Sequence, residues 1–114
     1  MKTTDLIPIG QLASRTGVSV SAIRFYEDKG LIRAMRNAGG QRRFLRSDVR
    51  RLSFVMIAQQ LGFSITEIGD LLSGLPQERT PTKGDWSKIS ALFRERLDAQ
   101  IETLELMRDR LDVC

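Results

Sequence analysis

The chain of 114 residues contains no histidine. Ser-His and Cys-His nucleophile pairs and histidine-rich metal sites therefore cannot be assembled from it. No phosphate-cradling glycine loop, catalytic triad or paired acidic site is recognisable either, so an enzyme is not expected. The single cysteine, Cys114, has no partner for an intramolecular disulfide, in keeping with a reducing compartment. The longest apolar run, Phe54 to Ala58, is far below the roughly 18 residues of a membrane span. Met1-Lys2-Thr3-Thr4-Asp5 does not lead into a continuous apolar stretch, so no signal peptide is expected. These absences predict a cytoplasmic protein with no membrane partner. Internal repeats and low-complexity tracts are also missing.

A hydrophobic fraction of 41% with 28% charged residues suffices for a folded core, and the length suits one domain or a small domain with one appended element. The charges are unevenly placed. Residues 1–52 carry 11 basic and 4 acidic side chains, a net of +7, whereas residues 53–114 carry 7 and 10, a net of −3. Such a split predicts a polyanion-binding end and an end with another task.

Ile9, Leu12, Ala13 and Thr16 recur at helical spacing after Pro8, and Gly17 supplies a stop. Ser19 is a suitable N-cap for a second helix carrying Val20, Ile23 and Tyr26 on one side, ended by Gly30. Two short helices about a glycine-containing turn predict a helix-turn-helix. From Arg33 to Arg46 there are five arginines, no acid and the turn sequence Asn37-Ala38-Gly39-Gly40, which predicts a basic hairpin. Ser47 is expected to cap a helix reaching Gly62, and Ser64 with Glu67 forms the capping-box pattern for the next. Gly74 to Gly84 holds two of the three prolines and reads as a connection. The expected division is 1–75 for the DNA-binding unit with its supporting helices, 76–84 for a linker and 85–114 for a long helix.

A helix-turn-helix places Ser21, Arg24 and Phe25 where a major groove would meet them. An ordinary helical hairpin with a solvated arginine fits these residues equally well. The hairpin shifts the balance toward nucleic acid, because Arg36, Arg42, Arg43 and Arg46 flank a tip with nothing to offer a core. Between Trp86 and Cys114 no Pro or Gly interrupts, and positions 86, 90, 93, 97, 100, 104, 107, 111 and 114 form a 4-3 stripe with seven apolar members. Such a helix must bury its seam, and pairing with a second copy is the economical solution, with Phe93, Leu97, Leu104, Met107 and Leu111 as the expected interface. Gln100 either sets register or marks divergence of the helices. Trp86 reads as a core anchor before a ligand-stacking residue. Cys114 shares the stripe, and a buried interface thiol is its simplest role.

The run Arg24-Phe25-Tyr26-Glu27-Asp28-Lys29-Gly30-Leu31-Ile32 resembles the recognition-helix signature of the MerR-type transcriptional regulators, and Arg36 to Phe44 resembles their wing. Within that family the wing segment and the run Trp86 to Cys114 are most similar to the redox-sensing SoxR branch. The resemblance implies a mainly α fold, a winged helix-turn-helix DNA-binding domain plus a long C-terminal dimerisation helix paired as an antiparallel coiled coil. It implies a homodimer on double-stranded promoter DNA that distorts an over-long spacer so that RNA polymerase can engage, partly by indirect readout. Arg15, Ser21, Arg24 and Tyr26 match the family's helix-turn-helix contacts, Arg42, Arg43 and Phe44 its wing, and Arg46 and Arg50 are added as expected phosphate contacts. Arg24 stands where the branch carries an imidazole, which bears on base preference. The branch holds a 2Fe–2S cluster on four cysteines just after the dimer helix, and Cys114 matches the first. The other three are absent from these 114 residues, so either they follow Cys114 or the cluster has been lost and another signal is sensed. A DNA-bending architectural factor without a signal is the competing reading.

Overall fold

The computed structural model describes residues 6–76 and 80–113. In chain order the elements are β1 (Leu6–Ile7), α1 (Ile9–Thr16), α2 (Val20–Asp28), β2 (Met35–Arg36), β3 (Arg42–Leu45), α3 (Asp48–Gln60), α4 (Ile65–Leu72) and α5 (Lys83–Val113). The expected mainly α, winged helix-turn-helix fold is present.

Local chemistry accounts for most boundaries. α1 stops at Gly17, whose φ of 76° is left-handed, a region that glycine enters without a Cβ penalty. Thr16 secures the same turn: its Oγ1 donates to the Leu12 carbonyl at 2.8 Å and accepts from the Val18 amide at 3.1 Å. Ser19 Oγ then accepts from the Ala22 amide at 3.1 Å, capping α2. The Ser64–Glu67 capping box forms in both directions, at 3.1 and 2.9 Å, and such caps contribute about 1 kcal/mol.

Ser47 does not behave as expected. Its backbone is already in the right-handed helical region, with φ −64° and ψ −14°, and its side chain makes no cap bond. An N-cap needs extended dihedrals to aim its oxygen at the first amides. Two further features escape the sequence pattern. β1 is only two residues long, too short to show a period, yet it pairs antiparallel with β3 through Leu6↔Leu45 and Ile7↔Phe44. β2 pairs with the other edge of β3 through Met35↔Arg43 and Arg36↔Arg42, so the sheet order is β1-β3-β2. α5 starts at Lys83, within the segment expected to be linker. Thr82 and Asp85 cap it reciprocally, amide to side chain, at 2.8 and 3.2 Å, which offsets the helix cost of Gly84, about 1 kcal/mol.

The core draws Leu12 from α1, Ile23 and Tyr26 from α2, Phe44 from β3, Leu52, Val55 and Ala58 from α3, and Ile68 and Leu72 from α4. Trp86 and Ile89 join the same cluster, so the first turns of α5 are set rigidly on the DNA-binding unit. Beyond Gln100 every described residue of α5 is exposed. At 1.5 Å per residue the 31 residues of α5 run about 46 Å, and the helix dominates the 64 Å long axis. Among the described residues no helix is long and apolar enough to cross a membrane.

Candidate nucleic-acid interface

The inward face of α2 takes Ile23 and Tyr26 into the core, so the 3.6-residue period turns Ser21, Arg24 and Phe25 outward, all exposed. Arg15, in the last turn of α1, is exposed as well. Lys29 Nζ lies 5.6 Å from the Phe25 ring centre, within cation–π range, which places another positive charge on this side of α2. Tyr26 is in a different setting. Its residue is 8% exposed, its ring meets Phe25 edge-on at 5.7 Å, and its hydroxyl donates to Gln59 Oε1. The ring is therefore a packing element that locks α2 onto α3.

The wing is built from side-chain hydrogen bonds. Asn37 Oδ1 accepts from the amides of Gly39 at 3.0 Å and Gln41 at 2.9 Å, and Gly40 turns the chain with φ 80°, a position a Cβ would strain. Arg36 Nη1 donates to the Gly40 carbonyl at 3.1 Å. Arg43 donates to the Arg42 carbonyl at 2.7 Å and to Gln41 Oε1 at 2.9 Å. These contacts reduce the freedom of two long cations before any ligand arrives.

Arg42 is ion-paired across the fold to Glu27 of α2, with side-chain exposures of 53% and 22%. A small cavity of about 120 Å³ lies at this junction, lined by Ile9, Arg24, Glu27, Arg42 and Phe44. Recognition helix and wing are thus adjacent and tied by a carboxylate that the sequence reading did not single out. Its signal in the sequence was its place in the Arg24 to Ile32 signature. Phe44 is 2% exposed, so its ring supports the wing from the core and cannot present itself to a ligand. This differs from its expected place as a contact residue: β3 runs from exposed Arg42 through half-buried Arg43 to Phe44 and Leu45, both packed in the core.

Arg46 is exposed at the end of β3. Arg50, expected to touch phosphate, has its guanidinium carbon 4.5 Å from the centre of the Trp86 ring. Arg50 and Trp86 share a cleft with Lys83, Ser87, Ser90 and Arg94, and Trp86 itself is buried, in agreement with its reading as a core anchor.

The expected dimer stripe divides in two. Phe93 packs edge-on against Phe54 at 4.7 Å and Phe63 at 5.2 Å, Leu97 lies against the same core, and Gln100 Nε2 donates to the Leu61 carbonyl at 2.9 Å. Gln100 thereby fixes α5 to its own domain. Leu104, Met107 and Leu111 are 57–75% exposed, and Leu106 and Val113 lie open beside them. Cys114 lies outside the described residues. Among the described residues no three His, Cys, Asp or Glu side chains are grouped to hold a metal ion.

Comparison with known proteins agrees with this geometry. Residues 7–75 match the family described as MerR HTH family regulatory protein, and residues 49–114 match the one described as MerR, DNA binding. The chain is 48% identical over 108 residues to an HTH-type transcriptional activator SoxR homolog of Chromobacterium violaceum, covering 95% of this chain and 73% of that protein. It is 34% identical to the HTH-type transcriptional regulator HmrR of Rhizobium leguminosarum, covering 91% and 80%. Among solved structures, a MerR family regulator from Listeria monocytogenes superposes with TM-score 0.62 at 30% identity, covering 93% of this chain and 80% of that one. The fold is also that of HiNmlR, a family member bound to promoter DNA, with TM-score 0.60 at 23% identity and 95% and 83% coverage. The relatives are regulators, not enzymes, and the chain belongs to the MerR family of helix-turn-helix transcriptional regulators.

Proposed function

We propose that the protein binds double-stranded promoter DNA as a homodimer, with α2 in the major groove and the β2–β3 wing on the flanking phosphates. The observation that carries this reading is that recognition helix and wing lie side by side on one basic face, where Glu27 of α2 pairs with Arg42 of β3. Arg24 and Ser21 face the bases or the adjoining backbone, Arg15, Arg43 and Arg46 neutralise phosphate, and Arg42 meets the backbone while its charge is shared with Glu27. Tyr26 positions α2 through Gln59, and Arg50 contributes from α3 while stacked on Trp86. Leu104, Met107 and Leu111 pair two α5 helices as an antiparallel coiled coil, which supplies the apolar cover that the far half of the helix lacks. Two readers on one rigid axis can bend and untwist an over-long spacer so that RNA polymerase engages both promoter elements, a reading supported by the similarity to a SoxR activator.

The same similarity supports redox sensing through a 2Fe–2S cluster. The residues in hand do not fit that group, because a cluster takes four thiolates as a rule and the 114 residues hold one. No step is derived through it. Visible spectra with iron and sulfide analysis, on protein purified without oxygen from its native gene, test this part. Two irons and two sulfides per protomer would uphold it, and a colourless iron-free dimer that binds DNA would remove it.

DNA binding itself is tested by salt. If a dimer neutralises roughly 6–10 phosphates, affinity for promoter DNA falls by about 10³–10⁵ between 50 and 200 mM salt. A flat response would refute the interface.

A further inference from the structure

Between α3 and the first turns of α5 lies a cleft of about 340 Å³, with Arg50 on one side and Lys83, Trp86, Ser87, Ser90 and Arg94 on the other. That volume is at the lower end of small-ligand sites, roughly 300–1,000 Å³. The lining holds three cations and no acid, and none of it comes from α2 or the wing. Elsewhere on α5, Arg96 pairs with Glu67 and Arg108 with Asp109. Among the described residues Arg50, Lys83 and Arg94 have no carboxylate within ion-pair distance. A concavity lined by one sign of charge concentrates counter-ions, and three like charges around it repel until an anion enters.

The helical period builds one wall. Lys83, Ser87, Ser90 and Arg94 follow a 4-3-4 spacing, which puts them on one face of α5, about 16 Å from end to end at 1.5 Å per residue. Both serines are exposed, and among the described residues neither hydroxyl is hydrogen-bonded. The opposite wall is preset by packing. The Arg50 guanidinium carbon lies 4.5 Å from the Trp86 ring centre, and a stacked guanidinium keeps its N–H edge free to donate in its own plane. Trp86 is 6% exposed and lies 6.2 Å from the Phe54 ring, centre to centre, so the core fixes the platform beneath the arginine. Donors held in place in this way lose less freedom when a ligand arrives.

We propose that this cleft binds a small free oxyanion with acidic groups at two ends, held by Lys83 and Arg94, with Ser87, Ser90 and the edge of Arg50 donating between them. Phosphate esters and polycarboxylates share this chemistry. The site goes beyond promoter binding, and Arg50 is the one residue that it shares with the DNA surface described above.

Trp86 is the single tryptophan of the chain, so its emission reports on the cleft. Pyrophosphate, citrate and inorganic phosphate are titrated into protein expressed from its native gene, with chloride holding the ionic strength constant. Calorimetry on the same titrations detects binding that leaves the emission unchanged. Expected is saturable binding of pyrophosphate or citrate, at least about tenfold tighter than that of inorganic phosphate. Tighter pyrophosphate marks a phosphate site, and tighter citrate a carboxylate site. Lys83→Gln with Arg94→Gln should weaken binding by about tenfold or more. Lys88→Gln, which removes the same charge outside the cleft, should leave it within about twofold. These side chains are exposed, and the single variants decide should the double one misfold. Absence of both heat and emission change would overturn the proposal, as would equal weakening by Lys88→Gln. A response to promoter DNA but to none of the free anions would also overturn it, and would assign the cleft to the DNA backbone.

Discussion

Burial pushes the Asp48 carboxyl up to about 6 from its ordinary 3.8, against the opposing pull of the Arg51 guanidinium and the Leu45 amide. A carboxyl raised on folding adds stability that is fully present below the unfolded value and is lost as pH rises through about 6. The folded state should therefore become more stable on mild acidification, the reverse of usual acid denaturation. The rise from 3.8 to about 6 corresponds to about 3 kcal/mol over the full titration. Between pH 7.5 and pH 5 the folded carboxyl takes up most of a proton while the unfolded one stays ionised, which corresponds to about 1 kcal/mol, or roughly 5 °C in Tm for a chain of this size. The assay is thermal unfolding at fixed protomer concentration, since dimerisation ties Tm to concentration, for the unsubstituted protein and for Asp48→Asn. Other carboxylates titrate in both proteins, so the difference between the two profiles isolates Asp48. Burial works on Arg51 in the opposite sense, lowering its guanidinium against the pull of the Asp48 carboxylate. The difference should open as pH falls from 7.5 to 5, in favour of the unsubstituted protein. Parallel profiles would refute the reasoning.

Glu27→Gln should free Arg42 from its carboxylate and remove a negative charge from the reading surface, raising affinity for non-cognate DNA several-fold and narrowing discrimination, as measured by competition binding. Unchanged competition would mean that the bridge is only structural. Arg43→Ala should weaken binding on all sequences and lower the salt slope by about 1, whereas Arg24→Ala should also change preference at one base pair if it reads a base edge. Equal losses on every sequence would assign Arg24 to the backbone. Leu104→Glu with Met107→Glu removes four apolar side chains per dimer, each contributing about 2 kcal/mol of burial, so sedimentation at micromolar concentration should show monomers that keep their helix content. A persistent dimer would place the interface elsewhere. Ser64→Ala should cost about 1 kcal/mol in chemical unfolding through loss of the α4 cap, with no effect on DNA binding.

Much of this protein is written locally. Gly17, Ser19 and the Ser64–Glu67 pair act through bonds spanning two to four residues, so the edges of α1, α2 and α4 could be read from neighbours alone. The arginine-rich wing was legible because Asn37 closes its turn by bonding to its own next residues. The excess of cations in the first 52 residues, and the lack of imidazole, likewise bounded the function without reference to a fold. Ser47 and Thr82 show the limit of such reading. Both are residue types that cap helices, and which of them does so depends on backbone dihedrals imposed by the strand or connection before them.

Tertiary structure decided the rest, because the forces concerned act between residues far apart in the chain. No pattern within α2 tells that Glu27 is held to an arginine 15 residues on, or that the Tyr26 hydroxyl is held by Gln59. The 4-3 stripe of α5 looked uniform, yet Phe93 and Leu97 meet their own domain while Leu104, Met107 and Leu111 do not, a division set by where α3 and α4 end beneath the helix. Nothing in the sequence marks Asp48 and Arg51 as a pair, and only packing could withdraw both charges from water and set the Pro76 carbonyl against the guanidinium.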